Sequence, residues 1–322
     1  MDRFDLWFAQ RDGSETAIGP MRRVAGVLHP HLSRRTVEFA SGGLTLRGVL
    51  FSPPGPGPFP AVVATAGFAC VKEMVIALEL VPRLVDAGIA VLVHDHPCSG
   101  ESDGSPRQHL DPIAQQDGYR DAITYLSGRP DIDAERIGVW GTSYAGGHVL
   151  GVASTDRRVR CVVSQAMTVS GHENLLRRHT PDGYAALHRQ WAEERLRLAR
   201  GDEPTMVPTV ATTGPSAEYY TSLPAECLER WRPEVTALTY ELYDRYEPAV
   251  TMTRISPTPL LMIVMDADAT TFTDTCLRTH AAALEPKRLL LLPGGHYDVY
   301  GRHDATASEA ACAWFSAHLA AH

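Results

Sequence analysis

The 322-residue sequence lacks the signatures of several classes of protein. None of its six cysteines forms a C-x-x-C pair, so neither a zinc site nor a thioredoxin-type redox site is predicted. The chain has no run of lysines and arginines longer than two residues, and its formal net charge is −8 at pH 7. Because a nucleic-acid-binding protein usually presents a basic face, we expect no nucleic-acid partner.

Long apolar segments are also missing. No apolar stretch approaches the ~20 residues that a membrane-spanning helix requires. The first residues, Met1 to Asp5, are charged and lack the apolar run of roughly 7–15 residues found in a signal peptide. Scattered cysteines in a chain without an export signal are expected to be reduced thiols. The sequence therefore predicts a cytoplasmic protein with no membrane partner.

Along the chain, short apolar runs alternate with segments that have the periodicity of a helix. Hydrophobic residues make up 44% of the chain, and its length suits one large α/β domain with an insertion. A hairpin is predicted around residues 41–43, followed by buried strands at residues 61–65, 89–93, 136–140, 160–165, 259–264 and 288–292. Helices are predicted at residues 73–86 and 112–126. Continuous apolar strands between helices predict a mostly parallel sheet covered on both faces.

We divide the chain into four segments. Residues 1–33 are predicted to be an N-terminal helical leader, and residues 34–167 and 257–322 are the two parts of the α/β core. Between them, residues 168–256 (the insert) carry no strand signal and two helical stretches, at 177–200 and 223–246. Such an insert is typical of a lid over an active site, although a peripheral decoration or a dimer surface is the alternative. The oligomeric state stays open, and a homodimer with the leader as an arm is one arrangement.

The segment Gly141-Thr142-Ser143-Tyr144-Ala145-Gly146-Gly147 joins a predicted strand to a predicted helix. A serine between small residues on such a turn is typical of a nucleophile elbow, which exposes the serine hydroxyl above the edge of the sheet. The usual pattern is G-x-S-x-G, and Ala145 takes the last position. The alternative is an ordinary turn rich in glycine and serine. We predict that Ser143 is a catalytic nucleophile.

A serine nucleophile requires a base, and the base requires an acid that fixes its tautomer. In a parallel sheet these groups are expected on loops at the carboxyl ends of strands. His296 follows the last predicted strand and two glycines, and we predict that it is the base. Asp268 follows the preceding strand and is the predicted acid, with Asp266 as the alternative. Helix N-capping is the purely structural role open to either aspartate.

The negative charge that develops on the substrate carbonyl requires two backbone donors. The N–H of Tyr144, directly after the nucleophile, is the first predicted donor of this oxyanion hole. Phe68, in the loop after the strand at 61–65, is the second. A simple turn at the end of that strand is the alternative interpretation of residues 67–68.

With these residues the chain resembles the α/β-hydrolase superfamily. More narrowly it resembles the bacterial branch related to dienelactone hydrolases and Xaa-Pro peptidase-like acyl hydrolases. The segments that carry the resemblance are residues 66–68 with 72–74, 95–104, 118–125 and 141–147. The order Ser143, Asp268, His296 is also the order of the superfamily. Three places depart from its pattern, namely Ala66, Ala145 and the pair Val264-Met265.

The resemblance implies an α/β-hydrolase fold and acyl transfer through a serine, without metal or organic cofactor. The substrate would be a small molecule with an ester, thioester, lactone or amide group. We therefore predict a serine hydrolase that works through an acyl-enzyme. An acyltransferase and a C–C bond hydrolase or cyclase on the same fold are alternatives, as is a non-catalytic binding protein. A nucleophilic Cys98 near His94 and His96 is a further alternative, although nothing places Cys98 on an elbow.

Overall fold

A computed structural model describes residues 29–321, and the predicted leader lies almost entirely outside this range. The strands are β1 Arg34–Ser41, β2 Leu44–Phe51, β3 Phe59–Thr65, β4 Ala90–His94, β5 Ile132–Thr142, β6 Val159–Gln165, β7 Met206–Pro208, β8 Glu234–Thr236, β9 Leu260–Met265 and β10 Lys287–Leu292. The helices are α1 Lys72–Ile76, α2 Leu80–Asp86, α3 Pro112–Ser127, α4 Tyr144–Ala153, α5 Gly171–Arg178, α6 Pro181–Ala199, α7 Pro215–Ser222, α8 Ala225–Leu228, α9 Ala237–Asp244, α10 Thr273–Ala282 and α11 Asp304–His318. Two 3₁₀ segments cover Pro248–Arg254 and His296–Tyr300.

Eight of these strands form one sheet in the order β1-β2-β4-β3-β5-β6-β9-β10. The pairs β1–β2 and β2–β4 are antiparallel, and the other strand pairs are parallel. The parallel strands β4 and β9 are buried along their whole length, because helices cover both faces. Their carboxyl ends therefore meet at one edge of the sheet. The predicted α/β-hydrolase architecture is confirmed.

One predicted helix is divided in the structure. The expected helix at residues 73–86 appears as α1 and α2, separated by Ala77 to Glu79. Pro82 explains the division, because a proline has no N–H and its ring displaces the carbonyl four residues earlier, at Leu78. The helix at 112–126 is observed as α3, which begins with Asp111 as a capping residue whose carboxylate accepts from the backbone N–H of Ile113 at 2.8 Å.

The insert differs from the sequence prediction in two respects. It contains a short antiparallel pair, in which Val207 of β7 faces Val235 of β8, although no strand is predicted there. The helices are also shorter than expected. In the stretch at 177–200 a new helix begins at Pro181, and the stretch at 223–246 is divided into α8 and α9 with β8 between them. The pair is tied to the core by Gln108, whose carbonyl accepts from the N–H of Thr236 at 3.1 Å. The insert leaves the sheet after β6 and returns at β9, and these two strands are hydrogen-bonded neighbours.

Across residues 29–321, every helix is too short or too polar to cross a bilayer.

Candidate active site

Ser143 occupies a sharp turn between β5 and α4. Its backbone has φ 55° and ψ −118°, a conformation that residues other than glycine rarely adopt. Two hydrogen bonds hold the turn, from the N–H of Ser143 to the carbonyl of Gln165 at 2.9 Å and from the N–H of Thr168 to the carbonyl of Ser143 at 2.9 Å. The strained serine is thereby attached to the neighbouring strand β6, which keeps its hydroxyl at the sheet edge.

The contacts around this turn show which of its positions require glycine. A Cβ added to Gly141 would lie 2.2 Å from the carbonyl oxygen of Ala145, and one added to Gly147 would lie 2.2 Å from that of Thr168. Residue 145 itself is fully buried with its methyl group in place. Within the elbow the closest approaches to backbone fall on positions 141 and 147, and a Cβ at Gly146 would also lie within 2.8 Å of Met167 Cβ.

His296 lies directly above the serine. Its Nε2 is 3.2 Å from Ser143 Oγ, and its Nδ1 is 2.7 Å from Asp268 Oδ2. The loop that carries His296 depends on Gly294, which has a φ of +111° that residues with a side chain rarely adopt. A Cβ added to Gly294 would also lie 2.4 Å from the Asp298 carboxylate. That carboxylate accepts from the N–H of Gly295 at 2.9 Å. The two glycines thus allow a tight return of the chain that brings the imidazole to the serine.

Asp268 is held in a dense set of hydrogen bonds. Its Oδ1 accepts from the N–H groups of Thr270 at 2.7 Å and Thr271 at 2.8 Å, and its Oδ2 accepts from the Thr271 hydroxyl at 2.8 Å. Burial opposes ionisation of this carboxyl, which is only 6% exposed, but the adjacent His296 and these donors lower its pKa below the ordinary value. The carboxylate is therefore ionised near neutral pH and able to hold the imidazole.

Asp266 takes a different position. It is exposed, and its Oδ1 accepts from the N–H of Gly294 at 2.8 Å. It therefore supports the loop before His296, while Asp268 contacts the imidazole. Of the two aspartates that the sequence left open, the structure brings Asp268 to His296.

The loop after β3 packs against the serine. A Cβ added to Gly67 would lie 2.9 Å from Ser143 Cβ and 3.4 Å from its Oγ, so this glycine allows the close approach. Phe68 follows it and lines the same cavity as Ser143, and Tyr144 begins α4. Both predicted oxyanion donors therefore belong to segments next to the nucleophile. Their role as donors stays a prediction.

A buried ion cluster, which the sequence interpretation missed, anchors the end of this loop. Lys72 is 2% exposed, and its Nζ lies 2.9 Å from Asp95, 2.6 Å from Glu101 and 2.9 Å from Glu73. Its backbone N–H also donates to Asp95 at 2.8 Å. Burial disfavours the ammonium ion, yet the three carboxylates raise the pKa of Lys72 above its ordinary value. Lys72 is therefore charged and compensates the buried Asp95.

We expect Lys72→Met to lower the free energy of unfolding by about 3–5 kcal/mol, since it leaves the buried Asp95 carboxylate without its cation. Arg230→Met is the matched control, because Arg230 contacts Glu101 of the same cluster at 3.1 Å but its side chain is half exposed. That variant should cost less than about 1 kcal/mol. Urea denaturation of both variants measures the difference, and equal stabilities would show that the buried cluster does not need its lysine.

The cavity above Ser143 has a volume of about 150 Å³, which is roughly ten times the space needed for one water molecule. Two groups of aromatic rings form much of its wall. The first contains Phe68, Tyr240 and Tyr243, and the second contains Tyr219, Tyr220, Tyr297 and Tyr300. The first group continues into the buried Tyr144, whose ring centre is 5.3 Å from that of Phe68. Most of these residues come from the insert, so it shapes the space that a substrate would occupy.

Cys98 lies apart from this cavity. It is buried and absent from the lining residues, and burial raises the pKa of its thiol. His94 and His96 are buried as well, and burial lowers the pKa of both imidazoles. The geometry therefore gives no support to a cysteine nucleophile at this position.

Comparisons with known proteins agree with this fold. The family model described as X-Pro dipeptidyl-peptidase (S15 family) matches residues 42–298. Thiohydrolase aneE of Aspergillus aculeatus is 35% identical over 272 residues, which cover 79% of this chain and 83% of the relative. Quorum-quenching protein AidA of Acinetobacter baumannii is 29% identical, over 82% of this chain and 88% of the relative.

A solved structure, that of the α/β hydrolase GrgF from Penicillium sp. sh18, superposes with a TM-score of 0.77 at 28% identity. The match covers 89% of this chain and 99% of GrgF. The same fold and most of the length are thus shared with enzymes. The chain belongs to the X-Pro dipeptidyl-peptidase (S15) family and is an α/β-hydrolase-type enzyme.

Proposed function

We propose that this enzyme is a serine hydrolase that cleaves small-molecule thioesters and esters through an acyl-enzyme, with Ser143 as nucleophile, His296 as base and Asp268 as orienting acid. The observation that carries the proposal is the hydrogen-bonded series from Ser143 Oγ to His296 Nε2 at 3.2 Å and from His296 Nδ1 to Asp268 at 2.7 Å. Ser143 and His296 both line the aromatic cavity, which offers an acyl group a largely apolar space.

The first half of the reaction forms the acyl-enzyme. Ser143 Oγ attacks the carbonyl carbon while His296 Nε2 takes its proton, and Asp268 stabilises the imidazolium by accepting from Nδ1–H. The backbone N–H groups of Tyr144 and Phe68 donate to the carbonyl oxygen as it becomes negative. The tetrahedral intermediate then collapses, and His296 gives its proton to the departing thiolate or alkoxide.

The second half releases the acid. A water molecule gives a proton to His296 and attacks the ester carbonyl of the acyl-enzyme. Collapse of the second tetrahedral intermediate returns the proton to Ser143 Oγ and frees the carboxylic acid. No step in this sequence calls on a metal or an organic cofactor.

The cavity lining favours an acyl group over a peptide with a free N-terminus. Such a peptide carries a positive charge, whereas the lining described for residues 29–321 contains Arg178 and no aspartate or glutamate. Thioester cleavage is supported by the relative named thiohydrolase aneE. We therefore place thioesters and esters ahead of amides among the substrates that the sequence left open.

Acyl transfer is the second candidate function. Aromatic rings form much of the cavity wall, and they offer few hydrogen-bonding partners to the water molecule that hydrolysis needs. The relative grgF of Penicillium, which is 30% identical over 84% of this chain, is named a polyketide transferase. Incubation with a thioester and an excess of an alcohol distinguishes the two functions, because a transferase forms the new ester faster than the free acid.

We also propose that the enzyme works in the cytoplasm. All six cysteines lie within residues 29–321 and none is in a disulfide, as expected in a reducing compartment.

A fluorophosphonate probe tests the central proposal. We expect the folded protein to gain one adduct, located on Ser143 by peptide mass spectrometry, because only a serine activated by its base reacts rapidly. Cys98→Ala is the matched control and should label at the rate of the wild type. An unlabelled folded protein would support a non-catalytic binding protein, and an adduct on Cys98 or another serine would contradict the assignment.

A further inference from the structure

One cation in the cavity wall has no part in the proposed reaction. Arg178, the last residue of α5, lines the cavity together with Ser143, and it is the only lysine or arginine among the lining residues that the structure describes. Its side chain is half-buried. A positive charge in a wall made largely of aromatic and aliphatic groups needs an explanation, because partial burial of a charge costs free energy unless it is paired.

Protein carboxylates do not provide that pairing. Within residues 29–321 Arg178 forms no ion pair, and its hydrogen bond is donated from Nη2 to the carbonyl oxygen of Thr270. Its neighbour Arg177 is different, because it pairs with both Asp274 and Glu173 on the surface. A guanidinium has five N–H donors, so most of those of Arg178 are left for a ligand.

Arg178 is linked to Asp268 through Thr270. The residue that accepts from it, Thr270, also donates its own N–H to Asp268 at 2.7 Å. On the insert side Tyr240 is near enough that the positive charge of Arg178 partly offsets the rise that burial causes in the tyrosine pKa. The guanidinium is therefore next to the loop of Asp268, and it lines the same cavity as Tyr240, whose ring centre is 5.5 Å from that of Phe68.

Two further polar residues line the same cavity and are compatible with an anionic ligand. Burial and the charge of Arg178 both lower the pKa of His179, which also lines the cavity and is therefore neutral near pH 7. Thr209 lines the cavity too, and its hydroxyl has no hydrogen-bond partner within the described residues. The guanidinium and this hydroxyl therefore both have hydrogen-bonding capacity left for a ligand in the cavity.

Resting on the function proposed above, we propose that Arg178 binds an anionic oxygen group of the substrate, and so selects acyl substrates that carry a carboxylate or phosphate. The planar guanidinium matches both groups through two parallel hydrogen bonds. Two parts of a substrate can supply this anionic oxygen, namely a carboxylate on the acyl chain and a phosphate on the thiol part of a thioester.

The experiment compares two pairs of substrates on the full-length protein. The first pair is mono-p-nitrophenyl adipate, whose second carboxyl is free and negatively charged, and its neutral methyl ester. The second is a hexanoyl thioester of phosphopantetheine and that of pantetheine. In the wild type we expect kcat/KM to be higher for the charged member of at least one pair, and the pair that responds identifies the source of the anion.

Arg178→Gln should reduce the charged-to-neutral ratio of kcat/KM by about 10–100-fold, as expected for loss of a hydrogen-bonded charge. Arg178→Lys should restore part of the ratio. Arg177→Gln, which removes the same charge one residue away, should leave the ratio as in the wild type. A ratio near the wild-type value in Arg178→Gln, or an equal loss for charged and neutral substrates, would overturn the proposal and show that Arg178 only supports Thr270. Labelling of Ser143 by the fluorophosphonate probe in the same samples separates this failure from failure of the proposed function.

Discussion

Ser143→Ala should lower kcat for thioester and ester hydrolysis by about 10⁶-fold, since alanine retains the cavity and the oxyanion donors but has no nucleophile. The substitution keeps Cβ and therefore the same backbone strain at φ 55°, and it removes an oxygen that is hydrogen-bonded to His296. The fold is thus expected to persist, which circular dichroism would confirm. Turnover of p-nitrophenyl esters and of a thioester with a thiol-detecting reagent measures the effect.

The matched control is Ser154→Ala, which changes the residue at the opposite end of α4. Its hydroxyl donates to the carbonyl of Gly151 at 2.8 Å and lies outside the cavity. We expect at most a few-fold change in kcat for this variant. If Ser143→Ala kept substantial turnover, the His296–Asp268 pair would be acting without the serine, which favours the C–C bond hydrolase or cyclase alternative.

Asp268→Asn should lower kcat by about 10⁴-fold. The amide can still accept from Thr270 and Thr271 at the position of Oδ1, but its NH₂ would face His296 Nδ1, where the carboxylate now accepts at 2.7 Å. The imidazole would then carry its proton on Nε2 and could not accept one from Ser143. The pKa of the Asp268 carboxyl lies below its ordinary value, so the wild-type enzyme should not lose activity through its protonation above about pH 5.

Asp266→Asn is the matched comparison, because it replaces one carboxylate oxygen by NH₂ in the other candidate acid. Asp266 is exposed and accepts from the N–H of Gly294, which an asparagine oxygen also accepts. We expect nearly wild-type kcat. A larger loss for Asp266→Asn than for Asp268→Asn would reverse the assignment of the acid.

The sequence was informative about this site where the determining contacts are local. The elbow at residues 141–147 contains both its strained serine and the glycines that permit it, and His296 follows its strand through two glycines. The choice between Asp266 and Asp268 was harder, because both follow β9 within three residues. It depends on the turn through Thr270 and Thr271, whose N–H groups converge on one carboxylate.

Features that depend on distant residues could not be predicted. Lys72 meets Asp95 and Glu101 only because the loops after β3 and β4 lie side by side. The strands β7 and β8 have three residues each, too few for a recognisable period of two, and Gln108 of the core supports one of them. The lone charge of Arg178 is visible only once its neighbour Arg177 is seen to take the nearby carboxylates.

The points at which the insert joins the sheet have a consequence for how such enzymes diverge. Because β6 and β9 are adjacent, with Val162 facing Leu260, the insert is a loop whose two ends lie close together in space. Segments of this kind tolerate replacement and changes in length, because the sheet on either side keeps its register. Evolution can therefore exchange the part of the aromatic cavity wall that the insert supplies while Ser143, Asp268 and His296 stay in place. The shape of the cavity can change in this way without a change in the residues around Ser143.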